Sequence, residues 1–129
     1  MSSLGDLADT GAPQVLRKAR EILGQRGWSQ GITRDYVTGE VDLIGAIALA
    51  AGAKVSDVDD RPDLLQTSVP EANRPAAYVA WETLEWVVET DPLEWQDSQN
   101  RTIFDIFKVL TKAAERLEIS HRSSSDQKD

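Results

Sequence analysis

From Val41 to Gly52 the chain reads Val-Asp-Leu-Ile-Gly-Ala-Ile-Ala-Leu-Ala-Ala-Gly, and after Asp42 no polar side chain occurs until Lys54. A segment this apolar has to be buried, yet it is too short to cross a bilayer, which takes about 20 apolar residues. Its alanines and Leu49 favour helix over strand. Asp42 suits the N-cap, where a carboxylate accepts amide hydrogens of the first turn. Gly52 suits the left-handed residue that closes a helix C-terminus. Gly45, Ala46, Ala48, Ala50 and Ala51 leave room for neighbours to approach closely. The stretch predicts a buried central helix, and the remainder of the chain must cover it.

The covering elements are helical. Leu16, Ala19, Ile22 and Leu23 recur at helical spacing with Val15 beside them, behind Pro13 in the first turn and Thr10 as a cap; Gly27 ends the run. Residues 27–40 read as a loop, with a short hairpin between Ile32–Tyr36 and Glu40–Asp42 as its one β feature. Residues 53–74 form an acidic connection, with a turn after Ser56 and a piece of helix from Pro62 through Leu65. A helix from Pro75 to about Thr90 places Ala77, Trp81, Leu84 and Val88 on one stripe, with Val79 and Trp86 roughly opposite. Asp91-Pro92 ends it. After a loop from Leu93 to Arg101, Thr102 and Asp105 have capping-box spacing. Ile103, Ile106, Phe107, Leu110, Ala113, Ala114 and Leu117 then give a clean apolar face.

These segments define an all-α, compact single-domain bundle of about four main helices around a buried one. A flexible leader is expected at 1–9, the domain at 10–119 and a disordered polar tail at 120–129. A chain of 129 residues can bury a core of this kind.

Composition removes whole classes of chemistry. There is no cysteine, so disulfides, thiolate metal sites and cysteine nucleophiles are excluded. The start lacks the basic and apolar regions of a signal peptide, which makes the cytoplasm the expected location. Net charge is −8, and residues 41–100 carry twelve acidic groups against three basic ones. That balance opposes binding to nucleic acid or an anionic membrane. No phosphate-cradling glycine loop and no nucleophile elbow is present. Asp57, Asp59, Asp60 and Asp63 lack the glycine and terminal glutamate of an EF-hand and read as a solvated charge run. Glu82, Glu85 and Glu89 lack a Glu-x-x-His companion. The single histidine, His121, stands in the polar tail. No catalytic, cofactor-binding or metal-ligating residue is predicted, and no cofactor.

What remains is aromatic. Trp28 and Trp95 stand in loops, where a ring anchors the chain or meets a ligand. With Asp97 and Arg101 they form the candidate ligand or partner surface. Val79 and Trp86 form the candidate self-association patch. The function expected first is a non-enzymatic protein-interaction module that binds another protein or a second copy of itself, and no enzyme activity is favoured. The alternative is a small-molecule or catalytic pocket lined by Trp28, Trp95, Asp97 and Arg101. A third reading, an anionic mimic of nucleic acid, rests on the acidic middle alone.

Three blocks carry a family resemblance: LRKAREILGQRGWSQG from Leu16 to Gly31, VDLIGAIALAA from Val41 to Ala51, and WQDSQNRTIFDIFKVLTKAAE from Trp95 to Glu115. Together they resemble a group of small actinobacterial and actinophage proteins carrying a domain of unknown function. The resemblance implies an actinobacterial, for instance mycobacterial, or phage-related origin and no established activity. In that group a cysteine often stands where this chain has Asp42, so a thiol role there would not carry over.

Overall fold

The computed structural model describes residues 11–126. Six helices follow in order among them: α1 Ala12–Arg26, α2 Leu43–Ala50, α3 Leu64–Ser68, α4 Arg74–Val88, α5 Pro92–Gln96 and α6 Ile103–Asp126. Two short 3-10 turns, Val55–Asp57 and Glu71–Asn73, interrupt the connections. The all-α expectation is met, and no strand occurs among the described residues. The expected leader and the Thr10 cap lie outside them. Gly11, with φ +92°, holds the cap position of α1 instead.

Local chemistry explains where the main helices begin and end. Asp42 caps α2, its Oδ1 accepting from Gly45 N at 2.9 Å. At the other end Gly52, with φ +105°, reverses the chain, and the amides of Gly52 and Ala53 donate to Leu49 O and Ala48 O at 3.1 and 3.0 Å. This is a Schellman closure, which satisfies carbonyls that the helix itself leaves free. Thr102 and Asp105 exchange hydrogen bonds as a capping box: Thr102 N donates to Asp105 Oδ2 at 2.9 Å and Asp105 N to Thr102 Oγ1 at 3.4 Å. From this start α6 runs on as helix to Asp126, past residue 119, the expected end of the domain.

The long helices α1 and α6 lie against each other, and α1 also packs on α2 and α4. Leu16, Ala19 and Leu23 of α1 meet Ile106, Leu110, Ala113, Ala114 and Leu117 of α6 in one core, all buried. Arg17 and Glu118 pair across the outside of this contact. Helix α2 is enclosed by α1, α3, α4 and α5, with Leu43, Ala46, Ile47 and Ala48 fully buried. Gly45 is required for space. A Cβ there would sit 2.9 Å from Thr33 O, nearer than real Cβ atoms come, and 3.2 Å from Val41 Cβ.

Three expectations need correction. Helix α4 buries Ala76, Ala77, Val79, Ala80, Thr83 and Leu84, so its inward face is rotated from the Ala77–Trp81–Leu84–Val88 stripe. Small alanines let α4 approach its neighbours closely, whereas the indole of Trp81 fits only at the edge of that contact. The residues after Pro92 form a helical turn, α5, with Asp91 Oδ1 accepting from Leu93 N at 2.9 Å, where the sequence predicts a loop. The hairpin shrinks to single bridges: Val41 pairs antiparallel with Arg34 and parallel with Trp28. Asp35 N still donates to Glu40 O, and Asp42 N to Thr33 O, at 2.9 and 3.1 Å.

Candidate functional site

The polar centre of the molecule is Gln96, on the last turn of α5 and 1% exposed. Its Oε1 accepts from Trp28 Nε1 at 3.2 Å and from Leu43 N at 2.9 Å, the latter a free amide of the first turn of α2. Its Nε2 donates to Asp42 Oδ2 at 3.2 Å. Gln30 Nε2 donates to the Gln96 carbonyl at 2.8 Å. One amide side chain thus joins the 28–31 loop, the cap of α2 and the α5–α6 connection. Burial pushes the Asp42 carboxyl up to about 6, against the opposing pull of the hydrogen bonds from Gly45 and Gln96. Asp60 and Asp97 add a smaller repulsion in the same upward direction.

The four residues expected to form a ligand or partner surface all lie on this seam. Trp28 is held by Gln96. Asp97 Oδ1 accepts from Gly31 N at 2.9 Å. The Arg101 guanidinium stacks 3.9 Å from the Trp95 ring centroid, and its Nε donates to Trp95 O at 3.0 Å. The four thus fall into separate contacts: Trp28 with Gln96, Asp97 with Gly31, and Arg101 with Trp95, which lies on α5 and not in a loop. Their polar groups are directed at one another and at the opposing loop, which is the geometry of anchors. Gln96 is absent from the sequence candidates: a glutamine between Trp95 and Asp97 carries no local sign of burial, and its partners lie more than fifty positions away.

The self-association patch is half corrected. Val79 is 8% exposed and belongs to the core. Trp86 is 59% exposed, with the Arg116 guanidinium over its ring. The two therefore do not make one apolar surface.

Two concavities are built from other residues. The first, of about 490 Å³, lies between the 59–66 segment and α4. Ile44, Leu64, Leu65 and Leu93 supply apolar wall, Tyr78 and Trp81 supply aromatic wall, and Asp60, Arg61 and Asp63 stand at its edge. The central seam holds this cleft in place. Thr33 N donates to Asp60 Oδ1 at 2.9 Å, Asp42 N donates to Thr33 O, and Arg34 Nε donates to Val58 O at 2.8 Å. The second concavity, of about 420 Å³, runs along the α1–α6 edge and is lined by Arg20, Phe104, Phe107, Lys108, Lys112 and Glu115, with Thr111 between them. Phe104 is 69% exposed and meets Phe107 edge to face at 6.3 Å, while Arg20 lies over Phe107 at 5.3 Å. No grouping of three or more His, Asp or Glu side chains that could hold a metal ion occurs among the described residues. No helix in them is long and apolar enough to cross a membrane.

A family model covering residues 8–116 matches the chain, nearly the whole of the helical domain. The chain belongs to DUF6197, a family of unknown function. No curated protein and no solved structure matches it. The expected likeness to a family without established activity therefore holds at the level of the family, whose match spans all three blocks from Leu16 to Glu115.

Proposed function

We propose that the chain is a non-enzymatic, cytoplasmic protein-interaction module whose working face is the α1–α6 groove. The observation that carries this reading is the exposed Phe104 beside Phe107, flanked by Arg20, Lys108 and Lys112 with Glu115 as the one carboxylate in the lining. A groove with three cations on a chain of net charge −8 is a local reversal of sign. Its complement is an amphipathic helix that places an apolar side chain on the phenylalanines and carboxylates against the three cations. Complementary charge of this kind steers encounter and fixes register, while the aromatic pair supplies buried area. The acidic remainder of the surface repels wrong approaches of the same partner. A partner from an actinobacterium or its phage is part of this proposal.

The test is a photo-crosslinking amino acid placed at Phe104 in the full chain, with the same substitution at exposed Glu71 as control. Crosslinks made in lysate of the source organism are mapped by mass spectrometry, and the captured peptide is synthesised. Binding of that acidic peptide to the wild type and its loss in the folded K108E/K112E variant support the groove. Crosslinks no stronger than at Glu71, or binding that survives the charge reversal, refute it.

A further inference from the structure

The cleft between the 59–66 segment and α4 is a separate feature, and its chemistry is of opposite sign to that of the groove. Its apolar floor comes from Leu64 and Leu65, both buried, with Ile44 and Leu93 beside them. Tyr78 and Trp81 sit three positions apart on α4, so their rings stand one turn from each other along the same wall. A volume of about 490 Å³ falls in the range of small-molecule sites.

The ionic groups decide what would enter. Arg61 is the cation in the lining, and it is already committed: its Nε and Nη2 donate to Asp59 at 2.7 and 2.8 Å, and its backbone amide donates to the same carboxylate at 3.1 Å. Asp60 uses one oxygen on Thr33 N. Its other oxygen accepts no hydrogen bond from the described residues. Asp63 stands at the start of α3 with φ +56° and makes no capping hydrogen bond. A non-glycine residue in the left-handed region is uncommon, and here it turns the chain between Pro62 and Leu64. Two carboxylates with spare acceptor capacity therefore face an apolar cleft with an aromatic wall. That combination suits a positive charge carried on an apolar body: the carboxylates attract the cation, and the aromatic side chains of Tyr78 and Trp81 in the lining add apolar contact and π-electron density that favours a cation. An anion would meet Asp60 and Asp63 with no free cation in the lining.

We infer that this cleft is a binding site for a small organic cation, an amine or quaternary ammonium attached to an apolar or aromatic group. It is distinct from the α1–α6 groove and stands whether or not that groove binds a protein.

The experiment is a titration of the full, isotope-labelled chain followed by two-dimensional amide NMR. Phenethylamine and benzyltrimethylammonium are the probes, with phenylacetate and benzyl alcohol as the anionic and neutral counterparts. The two cations are expected to shift the amides of residues 60–66 and 78–81 saturably, on the order of tenfold more tightly than phenylacetate. In D60N/D63N the side-chain amide at position 60 keeps an oxygen to accept from Thr33, so the fold is preserved while the charge is removed. There the preference for cations should collapse, while benzyl alcohol binding changes little. Y78A should weaken the cations and benzyl alcohol alike. Equal affinity for cation and acid, a preference that survives D60N/D63N in a folded chain, or shifts scattered over Glu82, Glu85 and the other acidic surface would each overturn the assignment. So would the absence of a saturable shift up to about 20 mM amine.

Discussion

Asp42 makes the stability of this protein depend on pH in an unusual direction. Its carboxyl is 4% exposed and pushed from an ordinary 3.8 up to about 6, chiefly by burial. Between those two values the folded state holds a proton that the unfolded chain has released, so stability falls as pH rises through that interval. The difference corresponds to about 3 kcal/mol, a large share of the roughly 5–15 kcal/mol typical of a domain. Asp35, Asp59 and Asp105 act in the opposite sense. Hydrogen bonds hold their carboxyls below the ordinary value, so their contribution is present above about 4 and is lost only as pH falls further. The two windows are therefore separate. Urea midpoints measured at intervals from about pH 7.5 to about 4.5 should rise on acidification in the wild type. D42N is the control. Its amide keeps the oxygen that caps Gly45, but its amino group opposes the Gln96 donor, so the variant is less stable at the low-pH end and lacks the rise. A difference between wild type and D42N that stays flat across this interval would refute the placement of Asp42 as a buried, ionisable cap.

Three further outcomes follow from the same geometry. G45A should lower stability by about 1–3 kcal/mol despite alanine's helix preference, because the methyl group meets the Thr33 carbonyl; an equal or higher urea midpoint would show that the loop yields freely. Q96L leaves Trp28 Nε1, Leu43 N and Asp42 Oδ2 without their partner and should cost about 3 kcal/mol or more in denaturant, whereas D42N/Q96E restores a donor–acceptor match and should recover part of the loss of D42N. T102A should cost about 1 kcal/mol and speed amide exchange in the first turn of α6; unchanged exchange at Asp105 and Ile106 would mean that packing alone sets that helix start.

Features encoded over a few neighbouring residues are legible in the sequence alone. The capping aspartate and closing glycine of α2, the Thr102–Asp105 box, and the apolar faces of α1 and α6 each arise from contacts within one or two turns. Helix α4 is only half legible. It is apolar on most sides, and a period of 3.6 cannot say which side faces in when Trp81 shares a stripe with Ala77 and Trp86 lies roughly opposite. Val79 accordingly reads as surface although it is core. The turn at α5 is hidden because Asp91-Pro92 signals both the end of one helix and the start of the next.

The candidate site divides in the same way. Trp28, Trp95, Asp97 and Arg101 stand out by residue type, but what holds Trp28 is Gln96, whose other partners Asp42 and Leu43 come from a distant segment. The aspartates at 60 and 63 read as a solvated charge run, and Tyr78 and Trp81 as part of a helix. Only the packing of α4 against the 59–66 segment makes them edges of one cleft. By itself the sequence determined the helical class, the buried α2 and its caps, since these depend on hydrophobic burial and on backbone groups satisfied locally. The tertiary structure decided which polar groups are desolvated and which surfaces become concave, because both depend on how segments distant in the chain are brought together.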